Sequence, residues 1–351
     1  MRQITTSDRQ NNFDLLRIIS TIAVIFIHVN YLFFCKHSNT PTFDKVYIIE
    51  SVINIITRFS VPAFVMISGG FNLNKENNAN ASEFYKKTSW KIFVPSFCAV
   101  LLFFVIDEIV AIFRGTRIII PVIGIITGNY HNLWFLYMLV GLYLLTPLII
   151  KIKQSVSEKF YVVSAFVLLI WAVGSQAVSS QRVAYALGVV FAFLGYYVMG
   201  DVILNNRIRL KYTKSVYFSI ALIMFCVTFF VRYFGVSYYL FDAYKNFFSP
   251  TITIASLCIF AGVKKITIKY DLSWLSEKTY YVYLFHTIIY RMIYECIGDV
   301  KASFELIIIP VIVILTFAIA LLLSVIYDRF WKSKKALENK WYSMRVWRII
   351  K

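Results

Sequence analysis

Ten stretches of the chain are apolar with little interruption, and each is long enough, or nearly so, to cross about 30 Å of hydrocarbon. They run over approximately residues 13–34, 47–72, 92–112, 132–150, 160–177, 184–203, 216–234, 247–263, 279–297 and 304–327. A lipid-exposed backbone must satisfy its own hydrogen bonds within one segment, so the pattern predicts an all-α polytopic transmembrane bundle of about ten helices. An even number of crossings returns both termini to one side. The fifth and sixth runs are separated only by the polar stretch Ser175 to Arg182, and fusing them would put the termini on opposite sides. The first run, Phe13 to Phe34, exceeds the apolar region of a cleaved signal and lacks a small-residue cleavage pattern, so it is expected to remain as the first span.

Composition agrees with lipid as the main solvent. Residues of the AVILMFWYC set make up 59% of the 351 positions and charged residues 15%, too apolar for a water-exposed surface. No Pro-, Gly- or Ser-rich linker divides the chain. The formal charge of +18 would suit a nucleic-acid binder only if Lys and Arg shared one solvated face, but here they lie between apolar runs. Of the 36 Lys and Arg, 25 fall in the N-terminal arm, in alternate loops (75–91, 151–159, 207–214 and 264–278) and in the stretch after residue 328. Seven fall in the intervening loops. Under the positive-inside rule this places both termini in the cytoplasm. The basic, amphipathic stretch 331–351, with Trp341 and Trp347, is expected to rest on the anionic inner leaflet. The five cysteines (Cys35, Cys98, Cys226, Cys258 and Cys296) show no metal-ligand spacing, and no metal is expected.

An ionisable residue inside a span costs about 2.5–3.5 kcal/mol on insertion scales, so each one needs a partner or a use. Arg17 and His28 are eleven residues apart in the first run. On a helix they differ by about 20° in azimuth and about 16 Å in height, which makes them one vertical stripe. Arg17 falls at the inner rim and His28 beyond the midplane. Asp14, one turn before Arg17, is placed to hold its guanidinium. In the second run Arg58 lies about 18 Å from the outer boundary, too deep for its head to reach water. Two uses remain open for it: contact with an anion or substrate, or a structural pair with a carboxylate such as Glu50. Pro62 removes a helical hydrogen bond nearby and is expected to kink this span. The ninth run carries His286, which suits either a site or packing, and Arg291 with Glu295 at i, i+4, which most simply neutralise each other. Arg232, at the end of the seventh run, reads as an interface anchor.

The stretch NNFDLLRIISTIAVIFIHVN resembles the opening motif of the family-three membrane acyltransferases, an Arg or Lys separated by ten residues from a His. RFSVPAFVMISGG (58–70), NLWFLYMLVGLYLLTPLI (132–149), GYYVMG (195–200) and YLFH (283–286) are similar to that family's second-, fourth-, sixth- and ninth-span motifs, in the same order. There are departures. Before the third span the family often has two arginines three apart; here, in TSWKIFVP, Lys91 matches and Thr88 does not. In the fourth-span motif Asn132 stands where the family often has His, and His131 comes one position earlier.

The resemblance implies a membrane-embedded acyltransferase domain over 1–330, followed by the tail 331–351. It implies transfer of an acyl group, most often acetyl, from cytoplasmic acyl-CoA to a hydroxyl of a surface polysaccharide or lipid-linked glycan, in a multi-pass protein of the bacterial cytoplasmic membrane. Acetyl-CoA would be a donor substrate, with no permanently bound cofactor. His28 and Arg17 would be catalytic, and Asp14, Arg58, Lys91, Trp134 and His286 would contact donor or substrate. Arg17 and Lys91 suit the donor phosphates, and His28 suits a general base, with a transient acyl-histidine as the variant. Arg58 or His286 suits an oxyanion. A transporter or flippase would also place charges along a midplane path, although no duplication links residues 1–175 to 176–351. A scaffold without chemistry is the third reading. No nucleophile elbow, HExxH, Walker motif or GxGxxG is present.

Overall fold

The computed structural model describes residues 6–34, 45–113, 115, 134–178, 185–234, 247–298 and 302–349. Cys35, His131, Asn132 and residues 179–182 of the Ser175–Arg182 junction lie outside them, as do the side chains of Trp341 and Trp347. Among the described residues the regular structure is entirely helical: α1 (Thr6–Phe34), α2 (Lys45–Thr57), α3 (Ser60–Asn72), α4 (Ala81–Thr88), α5 (Val94–Phe113), α6 (Trp134–Ser155), α7 (Glu158–Val178), α8 (Tyr185–Leu204), α9 (Lys214–Tyr233), α10 (Pro250–Lys264), α11 (Ser273–Ile297) and α12 (Ala302–Ile349). Two spans are assembled from more than one helix. α2 and α3 form one rod interrupted at Arg58 and Phe59, and α4 joins α5 through a π-helical turn, Ser89–Phe93.

Seven of these rods are long and apolar enough to cross a membrane among the described residues. Two further apolar helices, Gly188–Leu204 and Pro250–Lys264, are shorter. α11 has 25 residues but carries Glu277, Lys278, Arg291 and Glu295. Together these ten rods follow the ten apolar runs of the sequence, and the chain is a multi-pass membrane protein. α12 continues through residue 330 without a break.

The interruption in the second span has a local cause. Pro62 has no N–H to give the Arg58 carbonyl. The ladder resumes with Ala63 N–H donating to Phe59 O at 2.9 Å, and Arg58 N–H turns back to Ile55 O at 3.3 Å. The chain therefore turns beside a buried guanidinium.

α3 and α8 lie nearly backbone to backbone. A Cβ added to Gly69 would sit 1.8 Å from the Tyr197 carbonyl oxygen, and one added to Gly200 would sit 2.0 Å from that of Met66. The MISGG and GYYVMG motifs are thus two halves of one close contact, of the small-residue kind that joins helices where lipid removes the hydrophobic drive. Gly70 meets Leu204 and Met66 meets Gly200, so the two helices run parallel. The same is true of α1 and α11, where Arg17 meets Ser276 and His28 meets His286.

The loops rich in Lys and Arg gather on one face. Asn12 Oδ1 accepts from Ile268 N–H at 3.1 Å, Lys153 Nζ donates to Leu73 O at 2.5 Å, Lys265 Nζ donates to Leu210 O at 3.0 Å, and Lys264 Nζ donates to Ile203 O. At the centre of this face Asp201 is fully buried. It accepts from Asn205 Nδ2 at 2.7 Å, Arg207 Nε at 3.0 Å and Lys153 Nζ at 3.4 Å. Arg207 also reaches Glu158 at 3.4 Å. One carboxylate thereby ties the ends of α6 and α8 together, with the start of α7 attached through Arg207. On the opposite face Arg232 donates to Tyr47 Oη at 3.3 Å, joining the end of α9 to the start of α2.

Gly69→Ala and Gly200→Ala each force two backbones apart, at a cost expected near the upper end of the 1–3 kcal/mol typical of overpacking. Gly174, whose added Cβ meets nothing within 4 Å, is the control. Thermal unfolding in detergent is expected to show both contact variants well below wild type, with Gly174→Ala unchanged or higher.

Candidate active site

α1 presents its polar stripe to α11 and α3. At the basic-loop end, Arg17 Nη1 donates to Asp14 Oδ1 at 3.0 Å and to Ser276 Oγ at 3.4 Å, and Ser276 Oγ–H donates to the same Asp14 oxygen at 2.6 Å. The guanidinium lies over the Phe71 ring, 5.1 Å from its centroid. Asp14 is therefore the support the sequence pattern predicts, and Ser276, buried on α11, is a second one that no local spacing announces. The remaining open side of Arg17 faces a cavity.

That cavity, of about 590 Å³, has the size of a small-molecule site. Arg17, Lys91 and Lys278 bring cations to its wall, with Glu277 and Asp328 beside them. Lys91 is placed by the π-helical turn, an irregularity that frequently marks functional positions. Tyr280 holds this part of α11 to the third span, its Oη pairing with Ser96 Oγ at 2.7 Å and donating to Ile92 O at 2.9 Å. Deeper in, the wall becomes aromatic and apolar through Phe64, Phe135, Leu139 and Tyr283. Phe135 and Tyr283 are in ring contact at 4.6 Å. The cavity is thus cationic and polar at its mouth and apolar inside.

Tyr283 leads to the second cluster. Its ring lies 5.2 Å from that of His286, which lies 5.3 Å from that of His28, and Tyr290 stacks on His28 at 5.9 Å with ring planes 4° apart. His28 is half-buried between these rings. His286 is fully buried, and its Nδ1 is hydrogen-bonded to the Tyr283 carbonyl. A carbonyl only accepts, so Nδ1 carries the proton and Nε2 is left with its lone pair. Among the described residues no hydrogen-bond partner meets Nε2. The i−3 and i+4 positions of Tyr283 and Tyr290 around His286 are the helical signal by which this cluster could have been found in the sequence.

Arg58 is close enough to His28 for its charge to act on that ring. Its Nε donates to Asn54 Oδ1 at 3.0 Å, and its guanidinium lies 5.1 Å from the Phe247 centroid. Glu50 lies two turns from Arg58 along α2, and Asn54, one turn away, holds the guanidinium Nε. Asn54 is fully buried, and among the described residues its Nδ2 has no hydrogen-bond partner. The sequence reading missed it, because an Asn on an apolar helix carries no charge to flag it. Trp134 is not on the cavity wall; it contacts Phe247 at 5.8 Å and Phe193 at 6.1 Å, and so belongs to the aromatic surround of Arg58. Arg291 and Glu295 are both exposed.

Because a carbonyl fixes the Nδ1 proton, His286 is expected as the Nδ1–H tautomer. ¹⁵N NMR of histidine-labelled protein in bilayers, assigned with a His286→Asn variant, checks this, and a protonated Nε2 would contradict it.

Comparison with known proteins agrees with the site. A family described as an acyltransferase domain matches residues 10–327, nearly the whole chain, from just before the Asp14–Arg17 pair to just short of Asp328. No curated protein and no solved structure matches the chain. Coverage of this extent, over a helical bundle with Arg17 and His28 on one inward stripe, shows that the chain belongs to acyltransferase family 3 and is a membrane acyltransferase.

Proposed function

We propose that the protein transfers an acyl group, acetyl in the first instance, from acyl-CoA on the cytoplasmic side of a bacterial cell membrane to a hydroxyl of a surface glycan or lipid-linked glycan. The observation that carries this reading is the order of groups along the cavity and beyond it: cations at its mouth, an apolar wall at Phe135 and Tyr283, and two histidines packed behind Tyr283. Acyl-CoA has the complementary order, with phosphates followed by a long, thin arm and a terminal thioester. Arg17 and Lys91 meet the phosphates, and Asp14 with Ser276 holds Arg17 in the orientation that does so. The arm follows the α1 stripe towards His28.

His28 acts as general base. It takes the proton of the acceptor hydroxyl as that oxygen forms a bond to the thioester carbonyl carbon. The C–S bond then breaks, and the leaving thiolate recovers the proton from His28. The rings of His286 and Tyr290 pack on either hand of His28 and limit its orientation. Arg58, steadied by Asn54, faces the negative charge that develops on the carbonyl oxygen. An acceptor glycan reaches His28 from the face opposite the basic loops, and no metal or resident cofactor is required in this scheme.

The test is acetyl-CoA binding and turnover by the purified protein in nanodiscs. Arg17→Ala is expected to weaken donor binding at least tenfold. His28→Ala is expected to retain binding while turnover falls about 10²- to 10⁴-fold, the usual contribution of a positioned base. A fully active His28→Ala protein at normal expression removes the assigned base. Absence of any acyl-CoA binding, with solute uptake in proteoliposomes, replaces the reading with a transporter.

A further inference from the structure

The mouth of the cavity holds a third cation that the sequence motifs do not single out. Lys278, near the start of α11, is 5% exposed, and both it and Asp328 of α12 line the cavity. Its Nζ donates to Asp328 Oδ2. Two turns before this point on α12 the helix is still in its apolar run, so Asp328 is the first acidic group α12 brings to this face after Glu305. Glu277, the other carboxylate on the wall, precedes Lys278 by one residue and therefore projects about 100° away around α11.

A buried ammonium is costly without a counter-charge, and Asp328 supplies one to Lys278. We propose that Lys278 is a phosphate-binding residue of the donor site and that Asp328 serves as its counter-ion until the donor's phosphates take over. This assignment rests on the donor-site reading of the cavity and adds to it a residue and a source of specificity. Arg17 and Lys91 give two fixed positive charges; Lys278 adds one that is neutralised when the site is empty and available when a polyanion enters. Its flexible stem and three rotatable N–H donors suit such an exchange better than a planar guanidinium would. The pair also favours phosphate-bearing donors over short thioesters, because only a polyanion compensates for the loss of Asp328.

The experiment compares binding of CoA with binding of pantetheine, which has the same arm and no phosphate, by wild type, Lys278→Met and Asp328→Asn in nanodiscs. Lys278→Met is expected to weaken CoA about tenfold and leave pantetheine unchanged, as loss of one charge-assisted contact does. Asp328→Asn frees the ammonium and is expected to tighten CoA severalfold, again with pantetheine unchanged. Wild-type CoA binding that neither variant alters overturns the role of Lys278 while the donor site stands. Equal weakening of CoA and pantetheine in both variants also overturns it, since that is how a pair that only joins α11 to α12 behaves. Wild-type protein that does not bind CoA removes the donor-site reading, and the assignment with it. Lys278→Arg, which keeps the charge, is expected to restore CoA binding where Lys278→Met has lost it.

Discussion

Hydrocarbon offers no hydrogen bond to a guanidinium, an imidazole or an amide, so a helix that carries such groups must turn them towards other helices. α1 carries Asp14, Arg17, His28 and Asn30 over five turns, and this requirement sets its place in the bundle. It is packed against α3 on one side and α11 on another, where Ser276 and His286 answer Arg17 and His28. The other spans have apolar faces to spare: α5, α7 and α9 leave large side chains such as Phe97, Ile170 and Leu222 exposed to the surroundings. The polar stripe, more than hydrophobicity, decides which helices are central.

The same constraint explains why irregular backbone occurs beside the site. The interruption at Arg58 and Phe59 and the π-helical turn at Lys91 both leave carbonyls imperfectly paired, a cost tolerated at membrane depth only against protein or a polar cavity. Each irregularity delivers one cation. Pro62 accounts for the first; the second re-aims the wall of the cavity at the foot of the third span. Around them the scaffold is close-packed and rigid, through the glycine contact between α3 and α8 and the Asp201 cluster at the basic face.

Much of the site was legible because ionisable residues in apolar runs are few. Arg17, His28, Arg58 and His286 stand out by charge alone, and the eleven-residue spacing of the first two is enough to put them on one line. Asp14 followed from its position one turn away. Asn54, Ser276 and Lys278 were not legible in this way. Asn and Ser are common in spans and cost little there, and Lys278 lay in a loop count, where it contributed to orientation and to nothing else. Trp134 was readable as a motif residue, yet its partners, Phe193 and Phe247, come from other helices, and only they show that it surrounds Arg58 and leaves the cavity to other residues.

By itself the sequence determined that this is a multi-pass helical membrane protein, where its spans fall, which loops share a face, and which inward charges need an explanation. Those properties follow from hydrophobic length, helical period and the distribution of Lys and Arg, all of them local along the chain. Tertiary structure alone decided that α1 runs beside α11, that Gly69 and Gly200 close one contact, that Asn54 holds Arg58, and that Lys278 pairs with Asp328 at a cavity mouth. Each of these joins residues through the geometry of packed helices or of a broken one. Hydropathy and spacing say that a polar group must find a partner, but the partner is chosen by which helices pack together and at what depth.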